Sequence, residues 1–171
     1  MKFFSGIIFA LLLGSAIVYG YFKLGYAPVA TAAPPMLFEK TFAHMALHAH
    51  VDKDAPKTAP FQPTEADLQN GAQLYREHCA VCHGLSDPAK TAIAKGMYPD
   101  PPQLLHGKGV TDDTPGETYF KVTNGIRLTG MPAYSDSLSE KERWQISFVL
   151  AGADKLPASV QDSLKKPLSV N

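Results

Sequence analysis

"HCAVCHG", residues His78 to Gly84, holds both cysteines of this 171-residue chain. Cys79 and Cys82 stand three apart, and His83 follows at once. Two cysteines at this spacing suit a redox dithiol, half of a zinc site or a haem attachment motif. Zinc needs a second close pair of ligands. No other cysteine exists, and His44, His48 and His50 lie in a distant segment. A dithiol of the redox kind wants a βαβ setting, whereas the flanking sequence reads as helix and loop. The haem reading uses all three residues. Cys79 and Cys82, on a short helix, reach the two vinyl groups along one porphyrin edge and form thioethers, and His83 is carried beneath the ring toward the iron. A covalent, flat, apolar group would also supply the core that a small helix-and-loop domain lacks.

The iron then needs a second axial ligand or an open position. Met36, Met45, Met97, Met131 and the other histidines are the candidates. Met131 stands in "TNGIRLTGMPAYSD" between Gly130 and Pro132, in a tight turn 48 residues after His83. It is the expected ligand. Met97 in "AKGMYPDPPQL" and His106 are its rivals. Met97 is otherwise expected to line the pocket with Tyr98, Pro102 and Leu104, and His78 to lie on the surface. A thioether raises the potential relative to a second imidazole. A filled sixth position leaves no place for a substrate, which favours a carrier over a catalyst. The alternative is a haem enzyme or gas sensor with an open or displaceable sixth position.

Around the motif the pattern is helical. Thr64 with Asp67 three residues on resembles a capping box, followed by Leu68, Ala72 and Tyr75 on one face, with Gly71 leaving room for close approach. Pro115 after Thr114 marks a helix start, and Gly125 its stop. Ser139 with Glu142 is a capping box opening a helix whose broad apolar face carries Trp144, Ile146, Phe148, Val149 and Leu150, ended by Gly152. No run of alternating strands is present.

"FFSGIIFALLLGSAIVYGYF", Phe3 to Phe22, carries no charge. As a helix it is about 30 Å long, the thickness of a bilayer core. It exceeds the apolar core of a cleaved signal peptide, so an uncleaved anchor is expected, with a cleaved signal, its best small-residue site Ala30-Thr31-Ala32 lying well beyond the apolar stretch, as the alternative. Gly6, Ala10 and Gly14 form a small-residue stripe suited to packing on another membrane helix. After a proline-punctuated tether, "MLFEKTFAHMALHAHV" places Leu37, Phe38, Phe42, Met45 and Ala46 near helical spacing. That face packs on the domain or lies on the membrane surface. Its His44, His48 and His50 are a possible copper or zinc site, set against an ordinary linker helix.

The chain has no net charge and no basic run, so nucleic acid has no electrostatic footprint to bind. Residues 61–155 carry nine basic and twelve acidic side chains, a net −3. This acidity suits a partner with a basic docking patch.

The stretches "GAQLYREHCAVCHG", "PPQL", "NGIRLTGMPAY" and the tryptophan-bearing last helix together resemble the class I c-type cytochromes, in particular the membrane-anchored bacterial mono-haem ones. The resemblance spans residues 64–152. It implies an all-α, cytochrome c-like helix-and-loop domain around one covalent haem c, preceded by an N-terminal transmembrane helix. It implies thioethers at Cys79 and Cys82, a proximal His83 and a distal Met131. It also implies that Gly71 and Tyr75 cross an aromatic of the last helix, Trp144 or Phe148, and that Arg127 and Tyr134 lie near the haem propionates.

The expected organisation is an anchor over 1–24, a linker with a short helix over 25–60, the haem domain over 61–155 and a loose tail over 156–171. The expected role is one-electron transfer at the outer face of the inner membrane, with the haem domain in the periplasm. The chain would serve as a carrier or as a non-catalytic subunit of a membrane respiratory complex. Its partners would be a redox donor and acceptor, with no small-molecule substrate.

Overall fold

The computed structural model of the chain describes residues 2–87, 89–106 and 112–167. All regular elements among them are helices: α1 (Lys2–Lys23), α2 (Glu39–Asp54), α3 (Glu65–His78), α4 (Ala80–His83), α5 (Ala92–Lys95), α6 (Pro115–Asn124), α7 (Glu140–Ala151) and α8 (Ala158–Lys165). The architecture is all-α, as expected. The chain forms two compact units, Met1–Phe42 and Ala43–Asn171.

The first unit contains α1, uncharged from Phe3 to Phe22 and long enough to cross a bilayer. Its apolar side chains are exposed. Lys23 closes its last turn, where the helix dipole favours a cation.

In the second unit, α3, α6, α7 and α8 surround one apolar cluster. Three of these helices start as the sequence predicts. Thr64 and Asp67 cap α3 reciprocally, and Ser139 and Glu142 do the same for α7. Thr114 and Glu117 form a third capping box ahead of Pro115 in α6. α3 lies against α7 at Gly71. A Cβ there would overlap the Gln145 carbonyl oxygen and sit 2.9 Å from Val149 Cγ2. Room, and not conformational freedom, demands glycine at that point.

Asp67 does more than cap. Its carboxylate accepts from Thr64, from Gln145 Nε2 (2.8 Å) across the helix crossing, and pairs with Lys141 (3.1 Å). The Thr64 hydroxyl and then the Gln145 amide hold this carboxyl well below the usual carboxylate range.

One expectation needs correction. The tail is not loose. Residues 158–165 form α8, which buries Leu156, Val160 and Leu164 in the common core. Arg76 of α3 donates to the carbonyls of Ser163 (2.9 Å), Lys166 and Pro167 (3.1 Å), satisfying the end of α8. Ser159 and Ser163 bond to Glu65 and Gln69. The spacing Leu156, Val160, Leu164 was the signal, a three-residue stripe too short to stand out. Residues 168–171 of the expected tail lie outside the described residues. The apolar face of α2, read as packing on the domain or lying on the membrane surface, leaves Phe42 and Met45 exposed. The buried contacts come from Val51 and from Ala55 just beyond, on the other side of the helix. The chain continues to Pro56, whose carbonyl fills the space beside Gly116.

Leu164 is 2% exposed. Leu164→Ala is expected to lower stability by about 2–5 kcal/mol, read from urea unfolding of the cofactor-loaded protein. A loss under about 0.5 kcal/mol, the range of an ordinary surface substitution, would return this segment to the status of a tail.

Asp67 adds an acid-sensitive contribution. Its folded-state pKa is depressed, so its stabilisation is complete above the unfolded value of about 4 and is lost as pH falls below it. Stability measured from pH 6 downward should fall more steeply in the parent than in Asp67→Asn. Parallel curves would rule the linkage out.

Candidate functional site

α3 ends at His78, and Cys79 sits at the junction with α4. The Cys79 carbonyl accepts from the backbone N–H of Cys82 (3.1 Å) and of His83 (2.9 Å). One tight turn therefore carries both thiols and the histidine. Gly84 ends it at φ 76, a left-handed value that favours glycine. Tyr75, fully buried, donates its hydroxyl to the Gly84 carbonyl at 2.7 Å and ties the end of the motif to α3. Burial pushes that phenol's pKa upward, so it remains a donor.

His83 Nδ1 lies 2.8 Å from the Pro102 carbonyl. A carbonyl can only accept, so Nδ1 carries the proton and Nε2 keeps its lone pair free. Burial lowers the imidazole pKa, partly offset by this bond, and the neutral ring is the form that ligates a metal. The Cys79 thiol is pushed up to about 12 by burial and by the neighbouring Cys82. It is therefore a neutral thiol at physiological pH.

Met131 arrives from the opposite side of the sequence but from the same core. Cys79, Leu104, Met131 and Tyr134 all pack on the cluster formed by α3, α6, α7 and α8. The Met131 loop is closed by its own hydrogen bonds. Ile126 N–H donates to the Met131 carbonyl (3.2 Å). Thr129 Oγ1 donates to the Ile126 carbonyl (2.6 Å) and accepts from Met131 N–H (3.1 Å). Gly125, at φ 65, would place a Cβ 2.8 Å from the Met131 carbonyl oxygen and 2.7 Å from Ala133 N. Here glycine is required for both conformation and space.

The remaining expectations divide. Pro102 and Leu104 lie at the site as expected. Met97 reaches the Met131 loop at Gly130. His106 places Nε2 3.3 Å from the Asp87 carbonyl. His78 packs edge-on against Tyr134. Tyr134 donates its hydroxyl to the His78 carbonyl at 2.8 Å, and Arg127 is exposed. The aromatics of α7 do not provide the crossing. Trp144 stacks on Tyr119 at 4.2 Å, and Phe148 meets Phe61 at 5.3 Å. Gly71 instead meets the backbone of Gln145, because a glycine notch accepts a main chain more closely than a ring.

His44 and His48 have ring centroids 6.2 Å apart, but His50 turns to Asp54 (3.3 Å) and to the ring of Phe120. Among the described residues no three His, Cys, Asp or Glu side chains form a metal-holding group.

Sequence reasoning missed the Thr129 hydroxyl, the bond from Tyr75 to Gly84, and Gln103. Both polar atoms of the Gln103 amide are buried without a hydrogen-bond partner among the described residues, beside Gly84. A buried, unpaired amide is costly and points to a group that the polypeptide does not itself supply. Two unpaired thiols at haem-attachment spacing, an imidazole with a free Nε2, a thioether on the same core and this orphaned amide together fit a covalent haem.

The matching family model agrees with this fit. The family described as "Cytochrome C oxidase, cbb3-type, subunit III" matches residues 66–147. The quinohemoprotein alcohol dehydrogenase ADH IIB of Pseudomonas putida is 30% identical over 89 residues, which are 51% of this chain and 11% of that enzyme. A solved chain of a reducing HAO-like protein complex from Kuenenia stuttgartiensis shares 26% identity at a TM-score of 0.49, covering 56% of this chain and 47% of that one. The chain thus spans about a tenth of the curated relative and about half of the solved one.

Tyr75→Phe removes one oxygen and leaves the Gly84 carbonyl buried and unpaired. It is expected to reduce stability by about 1–3 kcal/mol, read from denaturant unfolding. A change within about 0.3 kcal/mol, the worth of a surface contact, would show the bond to be replaceable by solvent.

Proposed function

Because residues 66–147 are a c-type cytochrome domain, a module of haem-based electron transfer, we propose that this chain is a one-electron carrier. Cys79 and Cys82 would bond a single haem c, and His83 Nε2 and the Met131 thioether would hold its iron. The observation that carries the reading is the His83 Nδ1 to Pro102 contact of 2.8 Å. It fixes the ring and frees the nitrogen that an iron would take.

When bound, the haem supplies a reversible Fe(III)/Fe(II) couple. The polypeptide supplies the rest. The α3–α4 junction presents both thiols on one turn. The Pro102 carbonyl orients His83 and makes Nε2 more basic. The Thr129 and Ile126 bonds hold the backbone of Met131. The apolar cluster from α3, α6, α7 and α8 keeps water away. Were His83 and Met131 both to hold the iron, no coordination site would be left for a substrate, which favours a carrier over an enzyme or sensor. The chain carries one CxxCH motif, which supports one haem.

α1 supports retention at a membrane by length and composition. Since thioether attachment of this kind is completed outside the cytoplasm, the haem domain faces the periplasm and α1 sits in the inner membrane. The redox partners are a donor and an acceptor, and the likeness to a segment of a quinohemoprotein dehydrogenase supports a dehydrogenase-class donor. The stripe of Gly6, Ala10 and Gly14 supports a membrane complex as the setting.

Native protein should weigh one haem more than the polypeptide. Met131→Ala should keep that mass but lose the weak long-wavelength band of thioether-bound Fe(III). It should also lower the potential by on the order of 100 mV, within the roughly 0.8 V range that axial ligands control, and open the reduced protein to CO. Survival of the band would exclude Met131, and rapid CO binding by the unmodified protein would favour the enzyme or sensor reading.

A further inference from the structure

The loop carrying Met131 is held from two sides. From within, Thr129 and Ile126 engage both backbone groups of Met131. From outside comes Met97, just beyond α5, on a turn closed by Gly96 N–H to the Ile93 carbonyl (3.0 Å) and Met97 N–H to the Ala94 carbonyl (3.2 Å). The terminal methyl of Met97 occupies the place a Cβ at Gly130 would take, and its sulfur lies 3.7 Å from that same point. Gly130 does not adopt the left-handed conformation, and the atoms within 4 Å of its missing Cβ belong to the end of the Met97 side chain. Its vacant side-chain position is filled by a long, adaptable thioether side chain from a segment 33 residues away. Both Met97 and Met131 are half-buried.

We propose that Met97 is a positioning residue for the distal ligand: its methyl fills the notch at Gly130 and keeps the next residue, Met131, presenting its sulfur. The inference rests on Met131 being that ligand. Hydrogen bonds internal to a short loop fix its shape but not its placement on the domain, and a packing contact from outside supplies the placement. The consequence is measurable. An external ligand can reach the iron only when the Met131 sulfur is off. Its apparent affinity is its intrinsic affinity scaled by the fraction of molecules in that state. Loosening the loop raises that fraction.

The test uses the full-length, haem-loaded, oxidised protein titrated with imidazole under conditions where it is folded. Met97→Ala should bind imidazole about tenfold more tightly than the parent, a shift in the displaced fraction of about one decade. Met97→Leu, which conserves volume, should behave like the parent. The double variant M97A/G130A puts an alanine methyl where the Met97 methyl stood, and its imidazole affinity should fall back toward the parent's. If Met97→Ala does not accumulate, Met97→Val makes the same test with a smaller cut. A purely structural role would lower the melting temperature without changing imidazole affinity in the folded protein. It would also give no repair by the second methyl. Parent-like affinity in Met97→Ala, or a double variant that binds as tightly as the single, overturns the proposal. Failure of the underlying reading looks different: the thioether band is absent from the parent, or it survives Met131→Ala.

Discussion

Gly71 lets the backbone of α3 lie against the Gln145 carbonyl of α7, and the placement of the candidate ligands follows from that contact. α3 runs directly into the turn bearing Cys79, Cys82 and His83. α7 begins shortly after the loop bearing Met131. Bringing the two helices to backbone contact therefore brings two segments far apart in the chain onto one apolar cluster. The hydrogen bond from Gln145 to Asp67 fixes the same crossing from its polar side. It joins the helix cap of α3 to the middle of α7, so local capping and tertiary packing share one carboxylate.

From this frame the site is built with few free parameters. Tyr75 anchors the end of the thiol-bearing turn through Gly84. The Pro102 carbonyl holds His83 Nδ1, and Gly125 lets the distal loop close on itself. The Tyr75 bond satisfies a buried hydroxyl and a buried carbonyl, as a low-dielectric interior demands. The Gln103 amide finds no such partner among the described residues, and neither do Thr123 Oγ1 and Arg143 Nε. Of these, the Gln103 amide is the one that lies beside Gly84, at the end of the thiol-bearing turn.

The family match and the geometry meet on the same residues. The matched family segment, residues 66–147, starts one residue into α3 and ends within α7, so it contains the crossing, the thiol turn and the distal loop. α8 lies beyond it and yet completes the core. The helical core of this chain therefore extends beyond the segment that the family model matches.

The local chemistry was legible in the sequence because it depends on short-range rules. Cys79, Cys82 and His83 carry a haem-attachment spacing that can be read without any tertiary contact. Thr64, Thr114, Ser139 and their partners mark helix starts because a cap is satisfied within three residues. The uncharged run from Phe3 needs only length to match a bilayer. What the chain alone did not determine is which surfaces meet. Trp144 and Phe148 were both plausible at the crossing, and only the packed structure placed them on Tyr119 and Phe61, leaving Gly71 to a peptide carbonyl. α8 looked like a tail because three apolar residues gain burial only once α3 is present to receive them. Met97 looked like a rival ligand, and its contact with Gly130 exists only when residues 33 apart are folded together. Propensity, capping and motif chemistry are local and can be read in order along the chain. Complementarity of shape is a property of two surfaces at once, and no single stretch of sequence contains both.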